Sequence, residues 1–547
     1  MRKVNRGLKV AGVVAVGALA LTACSSSDSS GGGGGGTSGG SFSMAIEAPQ
    51  GGLNPTNCYD LYCAQVDQAL YTGLFNLETQ GSTFVPVLSP LTKSVTPSNG
   101  NKTYTIELNP GFKFTNGEAV SAKTFVDTFN FTANGGNGQQ LGFIFGPSQL
   151  NVVGYDKVEG TDSKTGKMSG LKVTGDNTFT MDLAAPLSES LFKNFVAGPQ
   201  VYPVPSAGLK NIEAYNKNVI GNGPYKLKDG WDNAKGGTLV KNADYPGPAG
   251  KADEINMRIY ADNNAAWADL QANTLDVTAN LTQNALSTAP QVLGDRFINI
   301  EGGLQYSYYG FATSDPVYKN KDIRIAVAKS INTDEINQKL YYNTRQRGTS
   351  FAPSTINGGG TDICGDNCTF DPTKAKELLK SGGGLNGSVH VTQLANETGD
   401  VQKAICNQIQ ANLGVKCVVD IYKDFGTLQQ DQTDGKVPNG TLVGAGWIAD
   451  NPTIQNMITA NFTKGSSNNF VGYDNPKFDQ LLQEGTQSTD EATQIAKWQE
   501  AEKVLLDDFQ AWPFQFRNQV GGYSTKVENV TINPGGFVDL STISVKQ

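Results

Sequence analysis

The chain has 547 residues, 38% of them hydrophobic and 17% charged, enough for two or three lobes with real cores. Its 43 basic and 51 acidic residues give a net charge of −8, and no basic run follows Lys9, which argues against nucleic-acid and polybasic lipid binding. A single histidine, His390, leaves little for hydrolases that need a His base or several His ligands, whereas a carboxylate pair of the glycosidase kind stays open.

In chain order, Arg2, Lys3, Arg6 and Lys9 precede an uncharged apolar run, residues 10–21, too short to span a bilayer. This is a signal peptide, residues 1–23. It ends Leu21-Thr22-Ala23-Cys24, which resembles the lipobox of bacterial lipoproteins and implies a diacylglyceryl thioether on Cys24. Two acyl chains suffice for stable anchoring, so the expected location is the extracytoplasmic face of the cell membrane. Residues 25–41 are almost wholly Ser and Gly and cannot bury enough surface to become ordered. Residues 24–41 thus form a lipidated tether, with a mean reach of roughly 20 to 25 Å. The G-x-S-x-G match at Gly36 to Gly40 lies in this tether, without the strand and helix that would give it meaning. Without the four basic residues of the signal, 39 basic residues face 51 acidic ones, a net charge of −12.

Six cysteines follow Cys24, in three close pairs: Cys58 with Cys63, Cys364 with Cys368, and Cys406 with Cys417. An even count in an exported chain reads first as disulfides. The zinc alternative is poorly served, since no C-x-x-C pair is present. No metal or cofactor is expected.

The elements mix α and β without a repeat. Tyr104, Ile106 and Leu108 alternate with polar residues as in a half-buried strand; Asn109-Pro-Gly111 then turns into Phe112-Lys-Phe114, with a second turn at Asn116-Gly117, and a β-meander is expected. Ser121 can cap a helix carrying Phe125, Val126 and Phe129, and Phe179, Met181 and Leu183 mark another strand. Asp371-Pro372 opens a helix with Ala375, Leu378 and Leu379 inward and Gly382 past its end. Val401, Ala404, Ile405 and Ile409 mark one helical face, followed across Gly414 by a strand, residues 415–422, which Cys406 to Cys417 would staple to that helix.

Several segments, in order, resemble the large solute-binding proteins of ABC importers in the oligopeptide- and dipeptide-binding family (solute-binding protein family 5). They are Tyr71-Thr-Gly-Leu-Phe75, Val85-Pro-Val-Leu88, Tyr104 to Leu108, Gly111-Phe-Lys-Phe-Thr-Asn-Gly117, Ser121 to Asp127 and Gly221-Asn-Gly-Pro-Tyr-Lys-Leu227. Asp322-Ile-Arg-Ile-Ala-Val327, Asp371 to Leu379 and Ala445-Gly-Trp-Ile-Ala-Asp450 through Asp479 continue the series. The resemblance covers nearly all of the chain after the tether. It implies an α/β fold of the bilobed periplasmic-binding-protein-like kind (type II, the large three-subdomain class), with a hinge and an enclosed cleft. The expected first lobe is residues 41–72, 190–303 and 507–547, the β-rich subdomain 73–189, and the second lobe 304–506, with hinge crossings near 304 and 507. The implied role is capture of a solute, closure of the cleft and delivery to an ABC permease in the membrane. The protein is expected to act as a monomer and not as an enzyme.

In peptide-binding members the aspartate of the W-x-A-D segment pairs with the ligand's α-ammonium group while neighbouring backbone bonds the peptide like an added strand. The resemblance places these roles on Asp450, Trp447 and backbone at Gly446 to Ile448. Tyr59, Asp60, Leu61 and Tyr62 match a loop facing the ligand from the other lobe, and Tyr308 or Tyr309 an aromatic strand after the hinge. Some relatives carry Arg three residues before the tryptophan for a peptide carboxylate; here that position is Gly444. The ligand's amine is therefore expected to matter more than its carboxylate, unless Arg or Lys elsewhere substitutes. Peptide is the expected solute. An oligosaccharide stacked on aromatic residues, another small solute, or a secreted carboxylate-pair hydrolase are the alternatives.

Overall fold

The computed structural model describes residues 39–546 apart from 161, 163, 396 and 397, and these fall in one unit, Thr37–Gln547. The signal peptide, Cys24 and the tether up to residue 38 lie outside the described residues. No helix among the described residues is long and apolar enough to cross a membrane.

Strand Thr103–Leu108 shows how its pattern becomes structure: Tyr104, Ile106 and Leu108 are buried while the residues between them keep solvent access. It is the second of four antiparallel strands, in the order Thr92–Ser98, Thr103–Leu108, Thr178–Asp182, Leu171–Gly175. Helix Ala122–Ala133 covers this sheet. Ser121 and Thr124 close a reciprocal cap at its start, and Phe125 and Phe129 meet the ring of Phe179 at 5.8 and 6.3 Å. The expected meander is corrected here. Residues 112–120 do not pair with Thr103–Leu108 but close on themselves as a small hairpin, with Phe114 N–H donating to Glu118, Val120 N–H to Phe112 and an antiparallel bridge between Lys113 and Ala119, so the turn expected at Asn116-Gly117 is present.

Besides two two-stranded pairs, Phe75–Gln80 with Thr83–Leu88 and Val527–Glu528 with Ser544–Val545, two larger sheets carry the rest. The first has seven strands, in the order Phe297–Ile300, Gln519–Tyr523, Val277–Thr278, Ser41–Ile46, Glu254–Ile259, Gly236–Lys241, Tyr225–Leu227. The second has six: Arg345–Arg347, Ala511–Arg517, Gln305–Phe311, Thr441–Ile448, Val389–Leu394, Cys417–Tyr422. Two crossings join them, one at residues 301–304 and the other at Asn518.

The second crossing corrects the boundary expected at 507. Helix Glu491–Asp508 runs through that point, and Ala511–Arg517 pairs on both sides within the second sheet, with Gln305–Phe311 and with Arg345–Arg347. A run buried on both faces, as residues 511–516 are, belongs in the middle of a sheet.

All three cysteine pairs form disulfides as expected. Cys406–Cys417 ties helix Asp400–Leu413 to strand Cys417–Tyr422, and the expected helix after Asp371 is Pro372–Ser381, capped by that aspartate.

Candidate functional site

Strand Thr441–Ile448 runs antiparallel to Gln305–Phe311, with Gly444 opposite Tyr309 and Gly446 opposite Ser307. Neither glycine adds a side chain to that face. A Cβ at Gly444 would stand 3.1 Å from the Tyr309 ring, and one at Gly446 would stand 2.5 Å from the Tyr306 carbonyl oxygen. Over that face opens a cavity of about 330 Å³, bounded by Ser307, Tyr309, Thr392, Phe514 and Gln515, with Phe425 and Tyr341 among its further walls.

The other neighbour of Thr441–Ile448 reaches only its start: Val389–Leu394 pairs at Thr441 and Leu442, and no further. Among the described residues, the stretch 443–448 therefore has a strand on one side only. Its remaining backbone groups form a free edge on which an extended chain can be laid.

Asp450 stands just past this edge. Its N–H donates to Asn456 Oδ1 at 3.0 Å, and Asn456 Nδ2 donates to its Oδ2 at 3.2 Å. The same Asn456 Oδ1 accepts from Trp447 Nε1 at 3.1 Å, so one asparagine holds both motif residues. Asp450 keeps solvent access, yet the crowd of protein around it raises its carboxyl above the ordinary value, opposed by the Asn456 amide. Among the described residues no lysine or arginine pairs with it. A carboxylate that is partly desolvated and offered one neutral donor is short of a cation.

The remaining expected residues divide by their partners. Asp60 is consumed by backbone: its Oδ1 caps helix Leu61–Leu70 through Tyr62 and Cys63 N–H at 3.0 and 2.9 Å, and its Oδ2 accepts from Gln50 at 2.9 Å. That makes it a loop-former. Tyr59 and Leu61 are exposed. Tyr62 is half-buried; burial and a hydrogen bond to Glu47 push its phenol up, and Arg517 acts the other way, which puts Tyr62 of one lobe near Arg517 of the other. Gly446 and Ile448 are exposed on the strand itself. Tyr308 is corrected. Its ring is 1% exposed and packs on Phe351 and Phe462, on the face opposite the glycines, so it is a core residue. Tyr309 lies on the cavity side, against Trp512 and Phe514.

Sequence reasoning missed Asn456. His390 makes a 2.8 Å hydrogen bond to Asp420 in the outer part of the second sheet. Cys58, Cys63 and buried Asp67 come together, but the two sulfurs are bonded to each other and offer no thiolate.

A family profile described as bacterial extracellular solute-binding proteins, family 5, middle region, matches residues 87–469, more than half of the chain. The dipeptide-binding protein DppE of Bacillus subtilis is 26% identical over 462 residues, 81% of each chain. Among solved structures, the substrate-binding protein CtaP of Listeria monocytogenes superposes with a TM-score of 0.78 at 21% identity, over 93% of this chain and 100% of that one. The binding protein DppA of Helicobacter pylori, in complex with the peptide STSA, gives a TM-score of 0.70 at 19% identity, over 93% and 99%. The fold is that of these binding proteins.

Proposed function

The chain belongs to family 5 of the bacterial extracellular solute-binding proteins, and on that premise we propose that it captures peptides between its two large sheets and hands them to the membrane permease of an ABC importer. It works outside the cytoplasm, and its task is binding rather than catalysis. Cys24 carries the lipid that keeps it at the membrane, and the protein acts as a monomer.

The observation that carries the peptide reading is the half-paired stretch 443–448 ending at Asp450. A peptide backbone fits the free edge as an added strand, with its α-ammonium group meeting the carboxylate just beyond. The 330 Å³ cavity beside Gly444 and Gly446 leaves room for a side chain. DppE is a dipeptide binder and the DppA structure holds a tetrapeptide, which supports the same class of ligand here.

The test is a thermal-shift screen of short peptides against cello- and chito-oligosaccharides. Peptides with a free amine should raise the melting temperature, by an amount that grows with concentration. A shift by sugars alone would replace peptide with oligosaccharide, and a ligand consumed during incubation would mark a hydrolase.

A further inference from the structure

A second cavity, of about 430 Å³, lies away from the candidate site and shares no wall residue with it. Its walls come from both sides of the two crossings. Phe84, Pro86 and residues of the stretch 188–194 precede the crossing at 301–304, whereas Asn357, Ile454 and the start of helix Glu491–Asp508 lie between the crossings. Hydrogen bonds span the seam. Ser188 Oγ donates to Gln494 Oε1 at 2.7 Å with both side chains buried, Ser190 Oγ donates to Glu491 Oε1 at 3.1 Å, and Phe84 N–H donates to the Thr355 carbonyl at 2.8 Å. The chain joins the two sides only through the crossings, so a rotation that opened the lobes about them would part these walls. The cavity belongs to the closed arrangement.

The lining sets the chemistry of an occupant. Phe84, Pro86, Ile454, Ile495 and Trp498 supply apolar surface. Glu189 is answered by Lys193 at 2.6 Å, while Glu491 receives only neutral donors, Ser190 Oγ and, at 3.0 Å, Asn357 Nδ2. Among the described residues no cation pairs with Glu491. A volume of this size suits a small organic molecule, and the charge its walls lack is positive. The chain after the signal, with 51 acidic against 39 basic residues, attracts cations in the same sense.

The cavity also backs onto the candidate site. Thr453 is one of its walls, and the Thr453 hydroxyl accepts from Asn456 N–H at 3.2 Å and donates to Asn451 Oδ1 at 2.8 Å. Asn456 in turn holds Trp447 and Asp450.

We propose that this cavity is a second ligand site, taking a small organic cation with an apolar body, and that its occupant favours the closed arrangement by bridging the seam. The ammonium group meets Glu491 while the apolar body packs against Trp498, Ile495 and Phe84. An occupant held from both sides adds contacts that the open arrangement lacks, so it and a ligand of the cleft each assist the other. The site does not depend on which solute the cleft takes.

Phenethylamine, 2-phenylethanol and ethylamine, titrated by calorimetry into the full chain, test the site in wild type, E491Q and D450N. Wild type should bind phenethylamine at least fivefold more tightly than 2-phenylethanol, which lacks the charge, and than ethylamine, which lacks the ring. E491Q should erase the preference for the amine over the alcohol, since glutamine keeps an oxygen for Ser190 and Asn357 but not the charge. Glu491 is exposed, so this variant should melt close to wild type. D450N should keep the preference. Its loss in D450N would put the amine in the cleft and overturn the second site, as would a preference that survives E491Q or equal binding of the three probes to wild type. Saturating phenethylamine should also lower the radius of gyration of wild type, and not of E491Q, in small-angle scattering. An unchanged radius in wild type would overturn the bridging of the seam.

Discussion

At the scale of single residues, the site is organised by hydrogen bonds that the sequence shows only in part. Asp450 is legible because it ends a recognisable W-x-A-D segment. Asn456 is not, since an asparagine six residues on, in the first turn of helix Ile454–Phe462, has no local reason to reach back to Trp447 and Asp450. Asp450 yields a prediction with a sign in pH. An amine partner needs the ionised carboxylate, and burial raises this carboxyl above the ordinary aspartate value, so it takes up its proton earlier on acidification. Affinity for a free-amine peptide should therefore fall on acidification sooner than an ordinary aspartate would dictate, and an N-acetylated peptide should show no such fall. Asp450→Asn should cost the free-amine peptide about 2 kcal/mol or more, since a charge enclosed in the complex loses its partner. Calorimetry from pH 4 to 8 checks both, and equal affinity before and after the substitution would reject the role. Asn456→Ala should weaken the same peptide by about 1 kcal/mol by releasing Trp447 and Asp450 together, with the fold intact by circular dichroism.

Elements are legible where a local rule sets them. Ser121, Asp371 and Gly382 bound their helices because caps are chosen by near neighbours, and the cysteine pairs are so close in the chain that little else could join. The pairing of Phe112 to Phe114 and the 507 boundary escape a local reading because sheet membership is decided at long range. Glu502 is a further case. It lies on the inner face of helix Glu491–Asp508, 1% exposed, and its carboxyl accepts from Phe351 N–H in the segment leading out of strand Arg345–Arg347. Burial pushes it from an ordinary 4.5 up to about 7 despite that hydrogen bond and another from Ala352. A carboxyl raised in the folded state contributes stability that is fully present below the unfolded value of 4.5 and lost as pH rises through about 7. The loss is about 3 kcal/mol at most, because each tenfold change in proton affinity is worth about 1.4 kcal/mol. Urea denaturation at pH 5 and pH 8 should show wild type losing stability over this window by more than Glu502→Gln does. Buried Asp67, raised in the same direction, leaves a common slope in both proteins. Parallel profiles would mean that Glu502 does not titrate there.

For the whole molecule, the question is how two sheets joined by two crossings can move. The crossings are in contact. A Cβ at Gly303 would stand 2.2 Å from the Arg517 backbone oxygen, and Gly302 adopts φ +73°, in the left-handed region that favours glycine. The first crossing also reaches the site, since Leu304 carbonyl accepts from Ala449 N–H at 2.9 Å, one residue before Asp450. Crossings packed this closely leave a short axis about which the lobes can rotate, and a ligand that touches both lobes favours the closed arrangement by the contacts it adds there. Small-angle scattering should show the radius of gyration falling when a bound peptide is present, with no change for a peptide that calorimetry shows not to bind. Gly303→Ala tests the axis itself. The added methyl meets backbone rather than a yielding side chain, so the second crossing must shift; the ligand-free melting temperature should drop, and the ligand-induced change in radius should shrink even at saturating peptide. A variant that melts with wild type and closes to the same radius would show that the lobes turn elsewhere.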